Sequence, residues 1–203
     1  MNALIAGLWD HNQEDPNFDR LIRCFFLHYQ FEAIHPFRDG NGRVGRVLLA
    51  LMVYQWCGLS EPWLYMSAFF EQYKDEYLGN LFNVSANGGW QSWIEFCLRG
   101  TIEQTKDSIR RCEELRNLKR EFKDKAGSLS VRMHGIIDQL FRDPLITIPI
   151  IAQSFSISYP SAQKDIERLV EAGILKELLS LRPKTFFSPA IVNIAYSEPG
   201  DFE

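Results

Sequence analysis

The stretch His35-Pro36-Phe37-Arg38-Asp39-Gly40-Asn41-Gly42-Arg43-Val44-Gly45-Arg46 decides how the chain is read. Two glycines flank an asparagine immediately before an amphipathic run. Glycine adopts positive φ freely and asparagine does so at small cost, so the turn can aim successive backbone N–H groups at one point. The helix that follows, predicted from about Gly42 to Trp56 with Gly58 as its stop, adds unpaired N–H groups and the positive end of its dipole. Together these make an anion site suited to phosphate. Arg43 and Arg46 fall in the first turn, where a cation opposes the dipole by roughly 0.3–1 kcal/mol. Two arginines become sensible there if a polyphosphate lies in front of them, because guanidinium gives forked, charge-assisted bonds to phosphate oxygens. Asp39 would repel a bare phosphate. A bridging Mg2+ resolves that conflict by taking a carboxylate and phosphate oxygens together. His35, at the mouth of the turn, can accept a proton from an attacking hydroxyl at neutral pH. Phe37 alternates with these polar residues as an anchor to the core. Singly, each of these residues is ordinary; together, each answers a need that another creates.

Outward from this segment, the apolar pattern predicts helices. Phe18–Phe31 carries Phe18, Leu21, Ile22, Phe25, Phe26 and Tyr29 at spacings of three and four, with Asp15-Pro16 as its start. In the helix after the motif, Val44, Val47, Leu48, Leu51, Met52 and Gln55 form one face. Two further helices are expected at about Trp63–Leu81 and Trp90–Lys123, separated by the turn Asn87-Gly88-Gly89. The second becomes strongly charged after Lys106. Glu103, Asp107, Arg110, Arg111, Glu114 and Lys119 there read as a solvated face with supporting ion pairs.

Ala126-Gly127-Ser128 reads as a joint between domains. Beyond it come three helical segments, Val131–Phe141, Ile148–Ser154 and Tyr159–Ala172. Two apolar pieces follow, Ile174–Leu179 and Thr185–Ser188, joined by Ser180-Leu181-Arg182-Pro183-Lys184. That is the order of a winged helix-turn-helix. Its third helix has Ala162, Ile166, Leu169 and Val170 as the packing stripe and Gly173 as its end.

Composition narrows the function classes. The 203 residues are 46% hydrophobic with a net charge of −4, which suits a globular chain and argues against a general polyanion binder. Cys24, Cys57, Cys97 and Cys112 form no CxxC pair and sit in apolar helical patterns, so they read as buried free thiols of a reducing, cytoplasmic compartment. Ala3–Leu8 is apolar but short and lacks a basic segment before it, so it does not read as an export signal. No run reaches membrane-spanning length. From Ser128 onward seven Lys/Arg stand against nine Asp/Glu, and Asp165, Glu167 and Glu171 share the third helix of that region with Lys164 and Arg168. DNA affinity rests on phosphate neutralisation. Protein interaction or homodimerisation is therefore favoured over DNA binding for this part.

The motif segment resembles the Fic family signature HxFx[DE]GNGRxxR at every specified position. The likeness extends to Phe18–Phe31 as the helix leading into the motif and to Leu64–Leu81 as a later family helix rich in Tyr and Lys/Arg. The resemblance implies a mainly α fold: a Fic-type helical bundle over residues 1–125, followed by a small winged helix-turn-helix domain over 128–203. It also implies a protein adenylyltransferase that moves AMP from ATP-Mg2+ to a Ser, Thr or Tyr hydroxyl of a target protein. Carried over, His35 is the general base and Asp39 holds Mg2+. The N–H groups of Gly40, Asn41 and Gly42 cradle the phosphates, with the Asn41 side chain on the α-phosphate. Arg43 steadies the β-phosphate and Arg46 the γ-phosphate, and Tyr77 is a candidate adenine contact. The chain departs from the family in three ways. No β-hairpin flap is read before residue 18. Ser67-Ala68-Phe69-Phe70-Glu71-Gln72 fails the inhibitory pattern [ST]xxxE[GN] at its last position. Tyr77 is followed by Leu78 rather than by a second tyrosine. In a longer form, the resemblance implies an upstream inhibitory glutamate on Arg46. The competing readings are transfer or removal of another phosphate-linked group, and a nucleotide-sensing DNA-binding regulator.

Overall fold

The computed structural model describes residues 19–126, 131–179 and 181–196. Helix α1, Arg20–Ile34, begins at Asp19, whose carboxylate accepts from the N–H groups of Leu21 and Ile22. This cap replaces the start expected at Asp15-Pro16, which lies outside the described residues together with Phe18, and the helix runs three residues past Phe31. A left-handed His35 ends it. Helix α2, Asn41–Trp56, follows one turn later and packs along α1. Its buried side is Asn41, Gly45, Leu49, Met52 and Val53. The face expected from the sequence is therefore largely wrong: Val44, Val47 and Leu51 are exposed, and only Met52 and part of Leu48 turn inward. Gly45 explains the rotation. A side chain there would collide with Phe31 and Glu32, so this glycine side is where α1 makes its close approach.

The single helix expected over Trp63–Leu81 is two: α3, Met66–Gln72, and α4, Lys74–Asn87, separated by Tyr73 at φ −109°, ψ 41°. The break is held by aromatic packing. Tyr73 lies against Phe69, and the Arg99 guanidinium covers both rings and that of Phe96. Gly88, at φ +69°, closes α4. The long helix α5 runs Trp90–Ala126.

The chain divides into two compact units, Met1–Ser108 and Ile109–Glu203, so the division falls inside α5. The joint expected at Ala126-Gly127-Ser128 lies partly outside the described residues. In the first unit the core is aromatic: Phe25, Phe69, Phe70, Trp93 and Phe96 pack with Leu49 and Met52. The Trp93 indole N–H donates to the Phe25 carbonyl at 3.1 Å, which locks α5 onto α1. Each such ring removes a large apolar area from water, worth about 25 cal/mol per Å2.

The second unit is aliphatic at its centre, where Met133, Ile136, Ile137, Leu140, Ile146, Ile151, Ile166 and Leu169 meet Phe122 of α5. Its elements are α6 (Val131–Leu140), β1 (Leu145–Thr147), α7 (Ile148–Ser154), α8 (Tyr159–Glu171), β2 (Lys176–Leu178), β3 (Thr185–Phe187) and α9 (Pro189–Tyr196). The strands form an antiparallel sheet in the order β1-β3-β2, with Ile146 and Glu177 both opposite Phe186. Strand β1 and helix α9 had no signal in the sequence reading, each being a short apolar run. Thr147 and Ser158 cap α7 and α8 with their hydroxyls. Within α8 the buried stripe is Ala162, Asp165, Ile166 and Leu169, whereas Val170, expected in it, is exposed. Asp165 is buried because Arg132 of α6 meets its carboxylate with two hydrogen bonds, at 2.6 and 3.2 Å.

All four cysteines are unpaired thiols. Cys24 and Cys97 are buried and burial pushes their thiols up, but Cys112 is exposed, contrary to expectation. Among the described residues no helix is long and apolar enough to cross a membrane.

Candidate active site

The turn between α1 and α2 gathers the motif residues at one end of the helix pair. His35 takes φ 50°, ψ 57°, and its N–H donates to the Phe31 carbonyl at 3.0 Å. This conformation costs a non-glycine residue about 1–2 kcal/mol and throws the imidazole out to solvent. Its Nδ1 lies 3.3 Å from the Glu32 carbonyl oxygen. A carbonyl can only accept, so Nδ1 carries the hydrogen and Nε2 keeps an open lone pair, the tautomer a general base needs.

Asn41 is the clamp of the turn. Its Oδ1 accepts from the Phe37 N–H at 2.8 Å and its Nδ2 donates to the Phe37 carbonyl at 2.7 Å, with the side chain almost fully buried. The amide expected on a phosphate is thus committed to the loop, and only its backbone N–H faces the helix end. Gly40, at φ 81°, is the N-cap of α2, and no side chain caps that first turn. Helices α1, α7 and α8 have such caps, whereas α3 and α4, like α2, have none. The N–H groups at the start of α2 are thereby left to whatever ligand arrives.

Both arginines fold back over this end. A Cβ on Gly40 would stand 3.6 Å from Arg43 Nη2, and one on Gly42 would stand 3.1 Å from Arg46 Nη1. The glycines are therefore spaces that the guanidinium groups border, at the uncapped helix terminus. Asp39 is exposed by 94% at its side chain and touches Arg43 at 3.5 Å, a weak and water-screened pair. Its carboxylate is open to a further ligand. Among the described residues no group of three or more His, Cys, Asp or Glu is placed to hold a metal ion. A site with one protein carboxylate suits Mg2+, which completes its shell from water and phosphate, and does not suit a structural metal.

Tyr77 is placed differently from expectation. It is 7% exposed, and its hydroxyl lies 3.0 Å from His28 Nε2. A ring stacked on Phe70 in the core offers no face to an adenine. His28 itself was not singled out in the sequence, where a histidine in an apolar helix looks like filler. It is fully buried, packs against both Phe70 and Trp93, and donates from Nδ1 to the Gly45 carbonyl at 3.2 Å. Burial, assisted by Arg46, lowers its pKa to about 4 against the opposing pull of the Gly45 bond. It is a neutral tie between α1, α2 and α4. Glu32 was also unmarked. It reaches from α1 to the α2 backbone at Gly45; burial raises its carboxyl, while His35 and then Arg46 pull it back down.

Comparison with known proteins finds similarity over part of the chain. The Fic/DOC family model matches residues 4–53. A probable protein adenylyltransferase of Aquifex aeolicus (strain VF5) is 44% identical over 46 residues, which is 23% of this chain and 14% of that protein. A protein adenylyltransferase of Caenorhabditis elegans is 38% identical over 45 residues, 22% of this chain and 9% of its own. The shared segment is thus a small part of these relatives. A Fic family protein of Desulfovibrio desulfuricans G20 superposes over 92% of this chain and 54% of its own, with a TM-score of 0.49 and 18% identity.

Proposed function

We propose that the first unit is a protein adenylyltransferase centre, which moves AMP from ATP to a Ser, Thr or Tyr hydroxyl of a target protein. The observation that carries this reading is the pairing of an exposed His35, its Nε2 lone pair open, with an uncapped helix terminus bordered by Arg43 and Arg46. The target oxygen attacks the α-phosphorus as its proton passes to His35 Nε2. The bond to the β-phosphate oxygen breaks, and diphosphate leaves in line. The N–H groups of Gly40, Asn41 and Gly42 and the two guanidinium groups receive the phosphate charge. Asp39 would hold Mg2+, whose chemistry is to neutralise the departing diphosphate. Asn41 acts through the turn rather than by its amide, and Tyr77 is left out of the nucleotide contacts.

The test is incubation with labelled ATP and a host lysate. The native chain is expected to label a protein with a mass gain of AMP. His35→Ala should lower labelling by about 100-fold or more while ATP still binds. Labelling that survives the substitution would remove His35 from the chemistry. A different mass gain, or loss of AMP from a modified target, would support another phosphate-linked reaction on the same anion site.

For the second unit we read a winged helix. The element order α6-β1-α7-α8-β2-β3 and the sheet order β1-β3-β2 support it. Its role is taken to be protein contact or homodimerisation, because Asp165 of α8 is already consumed by Arg132 and the remaining charge is not basic. Sequence-specific retention in a low-salt gel shift would overturn that assignment.

A further inference from the structure

The outward side of α2 is apolar where it meets water. Val44, Val47, Leu51 and Tyr54 recur at spacings of three and four, so they line one stripe, and each is between 37% and 59% exposed. From Val47 to Trp56 the helix carries no charged residue. A helix that is apolar all round belongs in an interior. The opposite side of α2 meets that expectation, since Leu49, Met52 and Val53 are in the core of the first unit. The stripe does not, because it stays open among the described residues.

The chain carries a matching run. Ala3-Leu4-Ile5-Ala6-Gly7-Leu8-Trp9 is likewise without charge, and the spacing of Leu4, Ile5, Leu8 and Trp9 puts them on one helical face. The motif chemistry gives this run no task. It lies within reach of the stripe. The Arg20 guanidinium donates to the Trp56 carbonyl at 3.0 Å, which sets the start of α1 beside the end of α2, near Tyr54. The nine residues 10–18 can span up to about 30 Å, and the stripe is only about 15 Å long. We propose that residues 3–9 dock on the Val44–Tyr54 stripe and so brace the helix whose first turn forms the anion site. A tethered segment needs little contact area, because its local concentration is on the order of millimolar. A second copy of the chain would need roughly 500 Å2 a side, more than four half-covered side chains offer. The docking does not depend on which reaction the turn performs.

Hydrogen exchange of the full chain reads the contact. The amides of residues 4–9 are expected to exchange about tenfold more slowly, or slower still, than those of a free peptide of the same sequence. Leu51→Asp puts a charge at the middle of the stripe, on a half-exposed position. It should abolish that protection and leave the amides around Trp93 in α5 unchanged. Leu8→Asp should release the segment from the other side, and it decides alone if Leu51→Asp disturbs the core. Methyl NOEs from Leu4 and Leu8 to Val47 and Leu51 should appear within one chain. Free-peptide exchange at residues 4–9 in the native chain would overturn the proposal, as would protection that survives both substitutions. NOEs found only between differently labelled copies would also overturn it and give the stripe to a second molecule.

Discussion

At the scale of single residues, the site depends on a histidine that does no chemistry. His28 is neutral in the folded chain, with a pKa near 4 against 6.5 when unfolded. Between those values the unfolded chain binds a proton that the folded chain refuses, so stability rises with pH across the window. The contribution is complete above about pH 6.5 and falls away as pH drops through 4, by roughly 3 kcal/mol in all. Urea unfolding at pH 7 and pH 5 should show this loss in the native chain and a flatter dependence in His28→Phe; equal slopes would refute it. Tyr77→Phe removes the hydroxyl that donates to His28 Nε2. It should cost about 1–3 kcal/mol and leave KM for ATP within about twofold. A tenfold rise in KM would restore the adenine contact expected from the sequence. Neither role could be read beforehand, because buried polar ties depend on partners 17 and 49 residues away. That His35 and Asp39 share one exposed turn was legible, because the motif is a contiguous segment.

At the scale of elements, the turn between α1 and α2 is held by one side chain. Asn41 closes both polar groups of Phe37, and Phe37 in turn lies 6.2 Å from the Phe31 ring. Asn41→Ala leaves a partly buried N–H and carbonyl unpaired, at a cost of about 2–4 kcal/mol for the two. Amide exchange at residues 37–41 should quicken, and transfer should fall in step with the lost order of the turn. Retention of both would show that the turn is held by other contacts. Here the sequence was misleading in a specific way: an asparagine between glycines looks like a ligand, yet burial makes it a clamp. The face of α2 was misjudged for a related reason. From Val44 to Val53 the helix is apolar nearly all round, so periodicity has little contrast, and Gly45 decides the rotation by what it lets approach. The break at Tyr73 left no mark either, since no proline or glycine makes it; three rings and Arg99 do.

At the scale of the whole molecule, the existence of two bodies was legible, and the place of the division was not a matter of linker composition. One core is aromatic and the other aliphatic, and each closes around its own part of α5. A continuous helix hides such a boundary, because its residues keep helical periodicity while the identity of their neighbours changes. Two separate cores predict that damage to one can be read apart from the other. Arg132 is the handle: it is the bidentate partner of Asp165, whose carboxylate is 2% exposed. Arg132→Met keeps the aliphatic stem, removes both hydrogen bonds of that buried carboxylate and leaves it only the longer contact with Arg168 at 4.0 Å, which is among the more destabilising single changes available to a core. Calorimetry of the full chain should then show a transition lowered by roughly 5 °C or more, with a second transition, from the aromatic core, nearly unmoved. ATP binding at the motif should follow the second transition. If a single transition shifts as a whole, α5 couples the two cores into one cooperative body, and the second unit would have to be counted among the determinants of the site.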